Sequence, residues 1–152
     1  ERKNQVTGDL LSVEFGILGH QVNLRKTFGA GLAKQIKLKW PHVFEMYAEH
    51  DGILGECFPT QVKPGLIVAN LYGQTNFGVL ARQTHYGALA KSLVVLNRMS
   101  RDLAFPVYLP YKMSSDLAGA DWTVVIEMIE YLVPLATICK LPAYNKEKEI
   151  QI

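Results

Sequence analysis

The chain has 152 residues, of which 49% are hydrophobic and 20% charged, a size and balance that fit one folded domain and exclude disordered, collagen-like and coiled-coil chains. Sixteen basic against fourteen acidic residues give a formal charge of +2. That is too even for a partner held by dense neutralisation of phosphates, so neither nucleic acid nor an anionic membrane is expected, although a local basic cluster could hold a small anion.

The first extended segment is FGILGHQV (15–22), a short apolar run with glycines at its boundaries that has the pattern of a buried strand. It leads through His20, Asn23 and a few basic and polar residues into Gly29-Ala30-Gly31 and then a short amphipathic helix. That helix carries Leu32, Ile36 and Trp40 on one face and Lys34, Lys37 and Lys39 elsewhere, and it stops at Pro41. A second short helix is expected over 43–50. GECFPTQV (55–62) and LIVANLYG (66–73) are predicted strands around a turn at Pro64-Gly65. Thr84 can cap a helix from His85 to Arg101 that turns Leu89, Leu93, Leu96 and Met99 inward. FPVYLP (105–110) is the next predicted strand. Asp121 can cap a helix in which Trp122, Val125, Ile126, Ile129 and Leu132 recur at helical spacing until Pro134, and LATICKL (135–141) is the last strand.

This alternation argues for an α/β layered domain, with helices on both faces of a mixed sheet and ligands expected beyond the carboxyl ends of the strands. One domain over 1–142 and a polar tail over 143–152 are expected. Three loops follow strands and concentrate the polar residues: 20–31, 73–84 and 111–121. In two of them, Gly29-Ala30-Gly31 and Ser114-Ser115-Asp116-Leu117-Ala118-Gly119 precede a helix. Helix starts offer unpaired N–H groups, so two such loops would suit a diphosphate, and glycine permits close backbone approach.

Cys57 and Cys139 stand far apart without a CxxC spacing, and His20, His42, His50 and His85 form no HExxH pair. No metal or other cofactor is expected, and two free thiols point to a reducing compartment. WTVVIEMIEYLVPLATICKL is broken by Glu127, Glu130 and Pro134, short of the ~20 uninterrupted apolar residues a membrane span requires. The ERKNQ start is not a signal peptide. A cytoplasmic monomer is the expectation.

Thr7-Gly8-Asp9-Leu10-Leu11, Gly19-His20-Gln21-Val22-Asn23, Gly29-Ala30-Gly31-Leu32-Ala33, Leu109-Pro110-Tyr111-Lys112 and Leu117-Ala118-Gly119-Ala120-Asp121-Trp122 together resemble a macro domain in order and spacing over nearly the whole chain. The resemblance is closest to the phage and bacterial branch that processes ADP-ribose 1''-phosphate, helped by Asn70-Leu71-Tyr72-Gly73-Gln74 and Thr84-His85-Tyr86-Gly87-Ala88-Leu89. It implies a three-layer α/β/α sandwich with a mostly parallel sheet, and ADP-ribose or a phosphorylated or related nucleotide as ligand. Asp9 would accept from the adenine amino group, with Leu10 in backbone contact beside it. Asn23 would meet the distal ribose, Gly29, Ala30, Gly31 and Leu32 would wrap the diphosphate and distal ribose, and Ser114 to Gly119 would close over the phosphates, with Gln74 lining the site.

His20 and Asn23 are the candidates for chemistry: an imidazole could activate water or protonate a leaving oxygen while Asn23 orients the ribose. From the residues alone, Asp9 could equally be a turn residue, His20 a packing residue and Gly29 and Gly31 packing glycines. Lys34, Lys37 and Lys39 could be a solvated face, and Trp122 core. The family's phosphate loop is usually Gly-Cys-Gly-Leu-Ala-Gly-Gly, whereas here Ser114 and Asp116 replace two glycines. Asp116 is therefore a third candidate for action on the substrate. The glycohydrolase branch has Lys at the position of Gln74 and Asp at that of Ala118, so its covalent mechanism is not expected here. The expected activity is hydrolysis of the terminal phosphate of ADP-ribose 1''-phosphate. The alternatives are a non-catalytic ADP-ribose binder and an ADP-ribosyl hydrolase.

Overall fold

The computed structural model describes residues 4–76, 83–115 and 118–141. The expected polar tail, and Asp116 and Leu117 of the third loop, lie outside them. In chain order the elements are β1 (Gln5–Thr7), a 3-10 turn (Leu10–Ser12), β2 (Gly16–Val22), α1 (Gly31–Lys39), α2 (Pro41–Glu49), β3 (Cys57–Lys63), β4 (Leu66–Tyr72), α3 (Tyr86–Leu103), β5 (Val107–Pro110), α4 (Trp122–Leu132) and β6 (Thr137–Lys140).

The strands form one sheet in the order β1-β6-β5-β2-β4-β3. Every neighbouring pair is parallel except β3 with β4, which close as an antiparallel hairpin at the edge. Side chains of β2 alternate between two cores. Ile17 joins Leu89, Leu93, Leu96, Val125, Ile126 and Ile129 of α3 and α4. Leu18 and Val22 join Ile36 of α1 and Val43 and Tyr47 of α2 on the other face. The result is the expected three-layer α/β/α sandwich with a mixed, mostly parallel sheet. Because five strands run in parallel, the residues after Thr7, Val22, Tyr72 and Pro110 emerge along one edge of the sheet.

Several expected boundaries shift for physical reasons. Helix α2 begins at Pro41, whose fixed φ and missing N–H suit a first helical turn. Thr84 does not cap α3: His85 is the N-cap residue and makes no side-chain cap hydrogen bond. The Thr84 hydroxyl instead serves the loop network described below. Asp121 does cap α4, accepting from the Thr123 N–H at 2.9 Å. Strand β1, three residues paired to β6 through Gln5 and Ile138, has too little apolar character to stand out in the sequence. Among the described residues no helix is long and apolar enough to cross a membrane.

Gly16 is needed where β2 begins. Its φ is 130°, and a Cβ there would lie 2.6 Å from the Pro106 carbonyl oxygen, the same oxygen that accepts from the Ile17 N–H at 2.8 Å. Gly16→Ala is therefore expected to cost about 2 kcal/mol or more, from backbone strain and overpacking together. Urea titration checks it, with an unchanged midpoint as the contrary result.

Candidate functional site

The site is built on loops at the carboxyl edge of the sheet. After β1, Asp9 is exposed and caps the 3-10 turn, its Oδ1 accepting from the Leu11 N–H at 2.9 Å. Its charge is close enough to Cys139 to add to the effect of burial in raising that thiol's pKa. Leu10 beside it is buried.

The loop after β2 is anchored from beneath by aromatic rings. Phe28, buried, stacks on Tyr47 with centroids 4.4 Å apart and meets His20 edge-on at 5.3 Å. The Tyr47 hydroxyl lies 2.7 Å from both the Asn23 carbonyl and Asn23 Oδ1 and donates to this pair of acceptors. Asn23 Oδ1 also accepts from the Arg25 N–H at 2.8 Å, and Nδ2 donates to the Thr27 carbonyl at 3.1 Å. Asn23 thus shapes the loop that would meet a ligand, a local Asx turn of the kind Asn favours.

His20 is 2% exposed. It lies opposite Asn70 in the β2–β4 ladder, with Nε2 2.8 Å from Asn70 Oδ1. An amide oxygen only accepts, so in this arrangement Nε2 carries the proton. Burial lowers the imidazole pKa to about 4, against the opposing influence of the Asn70 hydrogen bond. His20 is neutral at physiological pH and enclosed beneath the loop.

Gly29 and Ala30 are exposed, and α1 starts at Gly31 with φ 56°. Ala30 is the N-cap residue and supplies no side-chain hydrogen bond. The first amides of α1 are therefore left without a capping side chain, the arrangement that favours an anion. Leu32 is half-buried. The basic face beyond is partly engaged: Lys37 lies 4.0 Å over the Phe44 ring, and Lys39 donates to the Leu11 carbonyl at 2.6 Å. Trp122 packs against the α3/α4 core and edge-on to Tyr111 at 5.5 Å.

Ser114 lies in the segment that follows β5, the strand paired with β2. It adopts φ 70° and Gly119 φ 75°, so Ser114 keeps a glycine-like backbone at a cost of about 1–3 kcal/mol. Its Oγ donates to Gln21 Oε1 at 2.8 Å, and its carbonyl accepts from the Ala120 N–H at 2.9 Å and the Thr84 hydroxyl at 3.2 Å. Gln21 Nε2 donates to Gln74 Oε1 at 2.7 Å and Thr84 Oγ1 at 2.9 Å. The buried Ala118 accepts at its carbonyl from the N–H groups of Gln83 and Thr84. Ser115 is half-buried, and its N–H donates to the Lys112 carbonyl.

Sequence reasoning missed Gln21, Phe28, Tyr47, Asn70 and Thr84 as members of this site. Gln21 lay within the quoted Gly19-to-Asn23 motif, and the alternation of a strand, which sends residues 20 and 21 to opposite faces, was the available signal. Asn23, Tyr47, His50, Gly52 and Tyr72 line a cavity of about 100 Å³, well below the roughly 300 Å³ where drug-sized ligand sites begin. Among the described residues no three His, Cys, Asp or Glu side chains lie together to hold a metal.

This architecture is the macrodomain fold. A macrodomain protein from Streptomyces coelicolor superposes with a TM-score of 0.76 at 22% identity, over 93% of this chain and 99% of that one. A protein of unknown function from Bacteroides thetaiotaomicron gives 0.80 at 20%, over 91% and 96%. Thermosipho africanus DarTG in complex with ADP-ribose gives 0.73 at 14%, over 97% of this chain and 45% of that one. No protein-family model matches the chain. No curated protein matches it either.

The low imidazole pKa makes stability depend on pH. In the unfolded chain His20 binds a proton near pH 6.5, whereas in the fold it does so only near pH 4. The unfolded state thus binds more protons between these values, and stability falls as pH drops through that window, by up to about 3 kcal/mol. Urea titrations from pH 7 to 4 should show this loss in the wild type and a shallower one in His20→Gln. Parallel curves for the two proteins would contradict it.

Proposed function

We propose that the chain binds ADP-ribose or a phosphorylated or related derivative along the carboxyl edge of its sheet. The observation that carries this is the uncapped N-terminus of α1 at Gly29-Ala30-Gly31, reached by the loop after β2, which pairs with the strand leading to Ser114 and Gly119. Asp9 stands three strand positions from β2, roughly 14 Å at ordinary strand spacing, which suits a ligand with adenine at one end and a diphosphate and second ribose at the other. In this reading Asp9 and Leu10 receive the adenine. Gly29, Ala30, Gly31 and Leu32 meet the diphosphate from one side, and Ser114, Ser115, Ala118 and Gly119 from the other. Asn23 and Gln74 border the distal ribose. The ADP-ribose complex of the Thermosipho protein, which shares the fold, supports the choice of ligand.

Hydrolysis of the terminal phosphate of ADP-ribose 1''-phosphate is the second reading, carried by the resemblance of Asn70-Leu71-Tyr72-Gly73-Gln74 and Thr84-His85-Tyr86-Gly87-Ala88-Leu89 to the phage and bacterial phosphate-processing branch. The neutral, enclosed His20 would act in it by supporting Phe28 and the loop above, not by exchanging a proton with substrate. Asp116 remains a proposal outside the described residues.

Calorimetric titration with ADP-ribose tests the leading reading, and absence of binding would overturn it. Asp9→Asn keeps an acceptor for the Leu11 N–H while removing the charge, so it should lower affinity by about tenfold with the fold intact. Incubation with ADP-ribose 1''-phosphate tests the second reading: phosphate release that survives in His20→Gln supports it, and binding without release rejects it.

A further inference from the structure

We propose that Gln21 is a positioning residue for this site: its one amide holds Ser114 in the left-handed conformation and thereby locks the segment after β5 to the segment after β4. The proposal rests on the reading of Ser114, Ser115, Ala118 and Gly119 as the residues that face a diphosphate. Three observations carry it.

Ser114 occupies φ 70°, a conformation that an L residue keeps only when its surroundings over-determine it. Its hydroxyl is bonded to Gln21 Oε1, and its carbonyl is bonded to the hydroxyl of Thr84. Thr84 is in turn bonded to Gln21 Nε2. The network closes as a ring through Gln21, Ser114 and Thr84, with Gln74 attached by the second hydrogen of the same Nε2. A carboxylate could not supply the two donors, and a hydroxyl could not supply two donors and an acceptor together.

The backbone is also cut away for this side chain. A Cβ on Gly73 would lie 2.3 Å from Gln21 Oε1 and 2.9 Å from its Cδ, so the glycine after β4 gives the amide its room. Gln21 lies near the carboxyl end of β2, paired with Leu71 of β4 and beyond Ile17 and Leu18, where β2 pairs with β5. The end of an interior strand thus reaches both loops through one side chain.

A double-mutant cycle on the full chain separates this role from simple packing. ADP-ribose affinity is measured by calorimetry for the wild type, Gln21→Met, Ser114→Gly and the double variant. Gln21→Met is expected to weaken binding about tenfold when residue 114 is Ser and less than twofold when it is Gly, because glycine holds φ 70° without help. Equal losses in both backgrounds, or no loss with Ser114 present, would overturn the proposal.

Amide hydrogen exchange without ligand gives an independent readout. The Ala120 N–H, bonded to the Ser114 carbonyl, should exchange at least about tenfold faster in Gln21→Met while Leu93 in the core is unchanged. Unaltered protection at Ala120 would reject the proposal. If the wild type binds no ADP-ribose, the functional reading fails and the exchange experiment alone decides the role of Gln21. Should the Met variant not fold, Ser114→Ala removes the hydroxyl bonded to Gln21 Oε1 and leaves Gln21 in place, and the same acceleration at Ala120 is expected.

Discussion

The structure depends on the burial of β2 from both sides. Its seven residues pair with β4 throughout, and Ile17 and Leu18 also pair with β5. Successive side chains must therefore enter two different cores. Ile17 lies in the α3/α4 core and Leu18 in the α1/α2 core, each fully buried. A shift of one residue would exchange the two sets, bringing His20 toward the α3/α4 side and Gln21 toward the aromatic side. With register held this firmly, the last residues of β2 have a defined direction, and the loops at the carboxyl edge are built from them.

Two consecutive residues then divide the work. His20 faces the aromatic cluster and supports Phe28, which stacks on Tyr47, whose hydroxyl bonds Asn23. Gln21 faces the other side and reaches Ser114, Thr84 and Gln74. The wall ahead of α1 is thus seated on an apolar aromatic stack, while the wall after β5 is seated on directional hydrogen bonds. An aromatic stack tolerates small slides, whereas an amide ring of bonds sets donor and acceptor positions closely. The second kind of support suits a segment whose backbone carries strain at Ser114.

For the proposed ligand, these supports matter more than any single titrating group. A diphosphate held by backbone N–H groups needs those groups fixed in advance, because loop ordering on binding subtracts from affinity. In the proposed reading the start of α1, which has no capping side chain, would meet this need on one side, and the bonded segment around Ser114 on the other. Burial keeps His20 uncharged, so it adds no cationic attraction for a diphosphate, and recognition in the proposed reading would rest on backbone amides, hydroxyls and Asp9.

Much of this was legible in the sequence. The apolar run at 15–22, the helical spacing of Leu89, Leu93 and Leu96, and the Asp121 cap each express a local preference that the fold retains. These regularities determine the α/β alternation and place the polar loops after strands, because burial of periodic apolar faces is decided by residues near one another in the chain. Thr84 shows where such reasoning stops. Its hydroxyl had a plausible local use as a helix cap, yet it is spent on Gln21 and Ser114, partners brought near by the pairing of β2 with β4 and β5. Likewise the sequence marked His20 as a candidate for chemistry, and only the tertiary structure decided that it is enclosed against Asn70 and Phe28. The identity of the loops was written locally. Their mutual support was decided by contacts across the sheet, because hydrogen bonds between residues 21, 74, 84 and 114 exist only once distant segments have been packed together.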